Sequence, residues 1–310
     1  MNPKRRLAFF GSPAWAVPVL EALVREHDVA LVVTQPDRPR GRGLKTQPSP
    51  VAARAEELGL AVTKPRRLRK DPEIAEQLRA LDLDAAVVAA YGQIIPPALL
   101  EIPRYGFLNI HPSLLPKYRG AAPVNWALIQ GESETGVSIM RLDAGMDTGP
   151  VFVQERTAVA PDETAVELSE RLRDRGVELL LDVLERLETA RPEPQEGEPS
   201  YAPLLEKEDG RVRWSDPARK VYARHRGVQP WPGSWFEHRG KRVKVLEMKP
   251  AGGAGAPGEV LEVGPEGVRV ATGEGAIELI TVQPEGKRPM PAAAWARGHG
   301  VAPGTRLGRG

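Results

Sequence analysis

The sequence predicts an α/β domain built on a doubly wound, mostly parallel sheet, followed through a linker by a smaller all-β domain. Two observations carry this prediction. Up to about residue 190, short apolar runs such as "RLAFFG" and "DAAVVAAYG" alternate with stretches of helical periodicity. Beyond residue 206, short alternating runs are separated by Gly-containing turns such as "GPEG" and "TGEG". A chain of 310 residues is long enough for two such domains.

Each element of the first domain follows from its local pattern. Buried strands are predicted at "RLAFFG", "DVALVVT", "DAAVVAAYG", "GFLNIH", "GVSIMRL" and "VFVQERTAV". Helices are predicted at "AWAVPVLEALVREH", "PVAARAEELG", "PEIAEQLRALD", "QIIPPALLEI" and "ETAVELSERLRDRGVELLLDVLERLE". This alternation is typical of a Rossmann-like sheet with helices on both faces.

Three segments complete the predicted organisation. "QPDRPRGRGLKTQPSP" is rich in Pro, Gly and Arg, so we expect a long exposed loop there. "RPEPQEGEPSYAPLL" lacks periodicity and predicts a linker. The strands beyond it predict an OB-like barrel. We therefore expect domains at residues 1–189 and 207–310, with the linker at 190–206.

Composition and charge limit the classes of function. The absence of cysteine excludes disulfides and thiolate metal sites and fits a cytoplasmic location. No apolar run is long enough to span a membrane, so no membrane partner is expected. The net charge of +2 conceals a basic segment at residues 211–249, with 11 Lys and Arg residues against three acidic ones. Together with "RPRGRGLK" and "KPRRLRK", it favours a polyanionic partner.

The strongest chemical pattern lies in "GFLNIHPSLLP". Asn109 and His111 are two residues apart, so their side chains share one face at the carboxyl end of a predicted strand. Open α/β sheets bind ligands at this edge. Two such donors can stabilise an oxygen that gains negative charge. Asp147, in "DAGMDTG", would raise the pKa of His111 if it reached the ring. A structural histidine and a simple Asp-Gly turn remain alternatives. Neither a nucleotide-binding glycine motif nor a metal-binding histidine cluster occurs, so no metal is expected.

The chain resembles the 10-formyltetrahydrofolate-dependent formyltransferase family. The resemblance rests on "FFGSPAWAVPVLEAL", "VVTQPDRPRGRGLKTQPSPV", "NIHPSLLPKYRGAAPVNWAL", "GVSIMRLDAGMDTGPV" and "QPWPGSWF". It implies that Asn109, His111 and Asp147 are catalytic. It also implies a folate-binding role for two segments, which comprise Ser113, Leu114, Leu115, Pro116, Tyr91, Gly92, Gln93, Ile94 and Ile95. Contacts to tRNA are implied for Arg38, Arg40, Arg42, Lys45 and Lys207.

The resemblance further implies a reaction and its partners. The formyl donor would be 10-formyltetrahydrofolate and the acceptor the α-amino group of initiator methionyl-tRNA, with a monomeric enzyme. Asn109 and His111 would stabilise the oxyanion, and Asp147 would relay the proton of the amine. Two alternatives stay open: another folate formyl enzyme, acting on a small amine or releasing formate, and an RNA-binding protein with an inactive α/β domain.

Overall fold

A computed structural model describes residues 4–40 and 45–308 of the chain. The chain divides into two compact units. The first extends up to Gly120 and includes Thr135–Thr157 and Ser169–Tyr201, and the second includes Ala121–Glu134, Ala158–Leu168 and the chain from Ala202 onward. No helix among the described residues is long and apolar enough to cross a bilayer.

A seven-stranded sheet forms the centre of the first unit. The first eleven strands of the chain are Arg6–Gly11 (β1), Asp28–Val33 (β2), Arg38–Arg40 (β3), Lys45–Gln47 (β4), Val62–Thr63 (β5), Ala85–Ala89 (β6), Phe107–His111 (β7), Arg119–Gly120 (β8), Glu134–Arg141 (β9), Val151–Ala158 (β10) and Tyr201–Ala202 (β11). The sheet has the order β10–β9–β7–β6–β1–β2–β5. The pairs from β7 to β5 are parallel, whereas β7 and β9 are antiparallel.

The helices begin where the sequence supplies suitable first-turn residues. They span Val17–Glu26 (α1), Pro50–Glu57 (α2), Pro72–Ala80 (α3), Pro97–Leu100 (α4), Pro123–Gln130 (α5), Ala165–Glu185 (α6), Ala218–Gly227 (α7) and Ala292–Gly298 (α8). Proline occupies the first turn of α1 to α5, where a helix needs no N–H donor. Ser49 caps α2 by accepting a hydrogen bond from the Ala52 amide at 3.0 Å.

The core of the first unit fixes β7 from both faces. Phe107 of β7 packs against Phe10 of β1, with ring centroids 5.1 Å apart. Beneath the strand, α6 approaches so closely that a Cβ on Gly176 would lie 2.6 Å from Cγ2 of Ile110. Only glycine permits this contact without displacement of the helix. The strand that carries Asn109 and His111 is therefore held rigidly.

Two segments differ from the sequence expectation. The predicted long loop contains β3 and β4, which pair with each other as a short antiparallel ribbon from Arg38↔Gln47 to Arg40↔Lys45. An exposed ribbon needs no apolar alternation, so its strands left no pattern to detect. The predicted linker is also ordered, because Glu193 pairs with Val151 and β11 pairs with β8.

The second unit is built on an antiparallel sheet. Its strands are Ser234–His238 (β12), Lys241–Ala251 (β13), Val260–Val263 (β14), Val268–Ala271 (β15), Ala276–Pro284 (β16) and Met290–Pro291 (β17). The order is β12–β13–β16–β15–β14, with β17 on β16. The aromatic side chains Trp214, Phe236 and Trp295 lie in its core. An α/β domain followed by an all-β domain is thereby confirmed, with α5, α7 and α8 as helices that the sequence pattern did not predict.

One buried histidine makes the stability of the second unit depend on pH. His225 on α7 places Nδ1 2.9 Å from Oγ of Ser234. Burial, aided by the neighbouring Arg226, lowers its pKa to about 4. The unfolded chain binds a proton near pH 6.5 and the folded protein does not, so stability is lost as the pH falls below 6.5.

Acidification from pH 7 to pH 5 should lower the free energy of unfolding by about 2 kcal/mol through His225 alone. Urea denaturation at the two pH values measures this loss. A His225→Asn variant, which keeps a hydrogen-bonding group beside Ser234, should lose about 2 kcal/mol less over the same interval because it has no proton to bind. An identical pH dependence in both proteins would show that folding does not lower the pKa of His225.

Candidate active site

Asn109 and His111 lie on β7 at the carboxyl edge of the parallel strands. Asn109 is paired with Val88 of β6 and Met140 of β9, and His111 is paired with Ser138 of β9. Residues two apart in a strand point to the same face. His111 is buried and Asn109 is partly buried. The expectation that both side chains share one face at a strand end is met.

The ring of His111 is held by a hydrogen bond at one of its two nitrogens. Nε2 lies 3.0 Å from the carbonyl oxygen of Tyr118. A carbonyl oxygen only accepts, so the proton of the neutral ring resides on Nε2. Nδ1 lies 3.8 Å from Oδ2 of Asp147, and in the neutral ring this nitrogen is free to take up a proton.

The pKa of His111 is lowered below its usual value of 6.5. Burial is the main cause, and the Asp147 carboxylate and the Tyr118 carbonyl partly oppose it. Asp147 therefore acts in the predicted direction, but burial outweighs it. At pH 7 the ring is therefore mainly neutral, because the histidine lies deeper than its strand-end position suggested.

Asp147 belongs to the loop between β9 and β10, which is tightly constrained. Its φ of 53° is in the left-handed region, which Asp adopts more readily than most residues. Oδ2 accepts a hydrogen bond from the Gly120 amide at 2.7 Å. At Gly149, a Cβ would lie 1.9 Å from the carbonyl oxygen of Arg141. The loop can therefore follow this path only with glycine at its end.

The amide of Asn109 is available for a ligand. Its side chain makes no hydrogen bond with another residue among the described parts of the chain, whereas the His111 ring is engaged at Nε2. An unpaired amide offers two N–H donors and an oxygen acceptor. Asn109 is thus the donor of this site that a reacting oxygen can reach without breaking a hydrogen bond within the protein.

The segment Ser113 to Pro116 is held by two residues of the antiparallel strands. Ser138 Oγ donates to the Ser113 carbonyl at 2.6 Å and accepts from the Leu115 amide at 3.2 Å. Gln154 Nε2 donates to the Leu115 carbonyl at 2.8 Å. Ser113, Leu115 and Pro116 are buried, and Leu114 is partly buried. These contacts fix the backbone that follows His111.

The segment Tyr91 to Ile95 presents mainly backbone and one apolar side chain. The ring of Tyr91 lies in the core, and its carbonyl oxygen accepts hydrogen bonds from Ser12 Oγ and Gln35 Nε2. Gln93 is tied to the Leu68 amide and the Pro65 carbonyl. Gly92 adopts a φ of 83° and Ile95 is buried, whereas Ile94 is 73% exposed. Ile94 is therefore the side chain of this segment that a ligand can cover.

A cavity of about 270 Å³ opens at the ends of β1, β2 and β6. Its walls include Ser12, Gln35, Ser49 and Gly92, together with Arg38 at the base of the basic ribbon. The ends of these three neighbouring strands bring Ser12, Gln35 and Gly92 to the same edge of the sheet as His111. A ligand at this edge was predicted from the strand pattern.

The residues predicted to contact tRNA are distributed over both units. Arg38 is exposed and donates to Gln35 Oε1 at 3.2 Å. Arg40 ends β3 and Lys45 begins β4, and Arg42 lies outside the described residues. Lys207 is exposed at the start of a short 3₁₀-helix in the second unit. Within the described residues, no group of three or more acidic or His side chains is placed to hold a metal ion.

Family models match both parts of the chain. A model described as "Formyl transferase" matches residues 5–184, and one described as "Formyl transferase, C-terminal domain" matches residues 204–300. The methionyl-tRNA formyltransferase of Thermus thermophilus is 62% identical over 304 residues, covering 98% of this chain and 99% of that protein. The enzyme of the same name from Deinococcus radiodurans is 54% identical over 97% of this chain and 95% of that protein.

The chain belongs to the methionyl-tRNA formyltransferase family. This confirms the resemblance seen in the sequence motifs. The fold is also similar to an N-formyltransferase from Helicobacter canadensis, solved with folinic acid and dTDP-3-aminofucose, with a TM-score of 0.67, 18% identity and coverage of 88% of this chain and 98% of that one. HypX from Aquifex aeolicus, in complex with tetrahydrofolic acid, has a TM-score of 0.64, 21% identity and coverage of 94% and 46%.

The residues that support the site in this member of the methionyl-tRNA formyltransferase family were not predicted from the sequence. Ser138 and Gln154 lie on β9 and β10, and nothing in their local sequence indicates that they reach the segment after His111. Gln195 was assigned to a linker, yet its side chain contacts the Asp147 loop. These contacts join residues far apart in the chain, so neither periodicity nor a motif could have located them.

Proposed function

We propose that this chain transfers the formyl group of 10-formyltetrahydrofolate to the α-amino group of initiator methionyl-tRNA. The observation that carries the proposal is the 62% identity to the Thermus thermophilus methionyl-tRNA formyltransferase across 98% of the chain. The products are N-formylmethionyl-tRNA and tetrahydrofolate. Formylated methionyl-tRNA serves translation initiation, so the proposed place of action is the cytoplasm.

Asn109 supplies the hydrogen bond that the reaction needs most. When the amine attacks the formyl carbon, negative charge builds on the formyl oxygen. The amide N–H of Asn109 is fixed on a rigid strand and is free to donate to that oxygen. A preorganised donor of this kind typically stabilises the transition state by about 3–4 kcal/mol, because no reorganisation is needed as the charge develops.

His111 and Asp147 handle the proton that the amine must lose. The α-amino group has a pKa of about 8, so a neutral fraction is available to attack at physiological pH. Its surplus proton can pass to Nδ1 of His111, which is unprotonated in the neutral ring. Asp147, 3.8 Å away, stabilises the imidazolium that forms. His111 can then return the proton to the folate nitrogen as it leaves.

The donor is proposed to bind along the two segments that flank the site. Tyr91, Gly92 and Gln93 would present backbone groups to the pterin, and Ile94 and Ile95 would provide apolar contact. The segment Ser113 to Pro116 is the second wall. The exposed Ile94 fits this role, since a large apolar side chain gains most when a flat ligand covers it.

The acceptor is proposed to be held by cations outside the chemical centre. Arg38, Arg40, Arg42 and Lys45 of the ribbon would contact the phosphates and unpaired bases of the acceptor end, and Lys207 would add a contact from the second unit. The excess of positive charge at residues 211–249 would attract the rest of the acceptor arm. A monomer is proposed, which light scattering of the purified protein would test.

A label-transfer assay tests the proposed function. The donor carries a radiolabelled formyl group, and the acceptors are charged initiator tRNA, uncharged initiator tRNA and methionine amide. Label should appear on the charged tRNA. Uncharged tRNA and methionine amide should be labelled much more slowly or not at all. Label on methionine amide without dependence on tRNA would indicate a small-amine transferase, and release of labelled formate would indicate a hydrolase.

A double substitution of Arg40 and Arg42 by alanine should weaken binding of charged tRNA and leave donor binding unchanged. Each lost phosphate contact lowers the slope of log affinity against log salt by about 0.7–0.9, so the double variant should lose roughly 1.5. Filter binding over a salt series measures this. Arg25→Ala, at an exposed cation near the end of α1, is the matched control. An unchanged slope would exclude the ribbon from phosphate contact.

A further inference from the structure

The segment before β11 is fixed against the loop that carries Asp147. The Val151 amide donates to the Glu193 carbonyl at 2.8 Å, and the Glu193 amide donates to the Val151 carbonyl at 2.9 Å. This reciprocal pair joins residues 42 positions apart at the start of β10. The chain after Glu193 therefore lies beside the loop that carries Asp147 and is not a flexible linker.

Gln195, two residues further on, uses all its hydrogen-bonding groups there. Nε2 donates to the carbonyl oxygens of Asp147 and Gly149, both at 2.8 Å. Oε1 accepts from Nε and Nη2 of Arg119 at 3.1 and 2.7 Å. The amide cannot be turned over, because its NH₂ group would then face a guanidinium that only donates. This orientation is thus specified by its partners.

Arg119 connects this contact to the carboxylate of Asp147. The next residue, Gly120, donates its amide to Asp147 Oδ2 at 2.7 Å. Asp147 is consequently held at two points: its backbone carbonyl by Gln195 and its carboxylate by Gly120. The two contacts are linked through Arg119, which belongs to the same short strand, β8, as Gly120.

Asp147 needs such support because its conformation is unfavourable. A non-glycine residue in the left-handed region persists only when its surroundings hold it there. Its carboxylate is mostly buried and faces His111 Nδ1 at 3.8 Å. A rotation of this backbone would carry the carboxylate away from the ring, and an electrostatic contact over so short a distance is sensitive to shifts of about 1 Å.

We infer that Gln195, acting through Arg119 and the Asp147 backbone, is a positioning residue that keeps the Asp147 carboxylate beside His111. The inference rests on the proposed function, in which that carboxylate stabilises protonated His111. Gln195 does not touch the reacting atoms. Its removal should impair the chemical step and leave the binding of both substrates intact.

Steady-state kinetics of Gln195→Ala provide the first readout. The kcat for formyl transfer should fall by about 10- to 100-fold, because the carboxylate is misplaced, with each KM within about twofold of the wild-type value. Glu196→Ala is the matched control, since Glu196 is the exposed neighbour and should tolerate the change. Gln195→Glu keeps an acceptor for Arg119 but loses both donors to the loop, so it should resemble Gln195→Ala.

A double-mutant cycle separates positioning from a general structural role. In an Asp147→Asn background, Gln195→Ala should change kcat by less than about twofold, because the group it positions is already neutral. Losses that multiply would overturn the inference. So would a Gln195→Ala protein whose kcat equals that of the wild type, or one that raises only the KM values.

An NMR titration of His111 tests the inference without turnover. Asp147 is the charged group that faces the ring, and its carboxylate raises the pKa of His111 against the effect of burial. Gln195→Ala should therefore lower this pKa in the same direction as Asp147→Asn. An unchanged titration in a folded Gln195→Ala protein would refute positioning. A wild-type protein that transfers no formyl group would instead refute the proposed function and leave this titration valid.

Discussion

Asn109→Ala is expected to lower kcat for formylation of methionyl-tRNA by about 100- to 1000-fold. The variant removes the donor that is free to meet the developing charge on the formyl oxygen. The affinity for tRNA should stay near the wild-type value, because Asn109 is not one of the cations proposed to hold the tRNA. Rapid-quench kinetics at saturating donor and acceptor measure kcat directly, and filter binding measures the affinity for tRNA.

Asn125→Ala is a suitable control for Asn109. Asn125 also carries a side-chain amide, but that amide donates to the Gly227 carbonyl within the second unit at 2.8 Å. Its loss should affect stability and leave the chemical step unchanged. A variant at Asn109 that raises KM while kcat stays at the wild-type level would contradict oxyanion stabilisation, since such a pattern indicates equal binding of substrate and transition state.

His111→Gln is expected to lower kcat by about 1000-fold. Glutamine can still donate a hydrogen bond to the Tyr118 carbonyl, but it cannot accept a proton from the attacking amine. Rapid-quench kinetics of the variant at neutral pH, beside the wild type, give the size of the loss. A kcat within about threefold of the wild-type value would show that the proton takes another path.

The wild-type protein should show a His111 pKa below 6.5, because burial outweighs the opposing carboxylate. The ring is then mainly neutral at pH 7, and its capacity to accept a proton is lost as the pH falls through the lowered pKa. An NMR titration of the ring measures this directly. A pKa above 6.5 would mean that His111 is charged in part at neutral pH and would favour a donor role over a base.

The sequence predicted those parts of the fold and site that depend on local pattern. Local hydrophobic patterns predicted the buried strands β1, β6 and β7 and the long amphipathic α6, because the residues that determine their burial are close together in the sequence. Asn109 and His111 were assigned to one face of a strand end because alternation along a strand is a strict rule. The family motifs around them identified the chemistry.

The remaining features depend on contacts between distant residues or on depth. The ribbon of β3 and β4 is exposed, so it carries no hydrophobic alternation. Gln195 lies in a Pro- and Glu-rich segment, and its side chain is positioned by contacts with Asp147, Gly149 and Arg119, which are distant in the sequence. The direction of the His111 pKa could not be predicted either, because it is decided by how completely the neighbouring chain covers the ring.

A crystal structure with charged tRNA and a donor analogue whose formyl group cannot be transferred would test the proposed chemistry most directly. The measured quantity is the distance from Asn109 Nδ2 to the formyl oxygen. A distance of about 2.9 Å, with the methionyl amine between the formyl carbon and His111 Nδ1, is the expected result. A formyl carbon more than roughly 6 Å from both side chains, beyond the reach of any hydrogen bond, would contradict the assignment of this site.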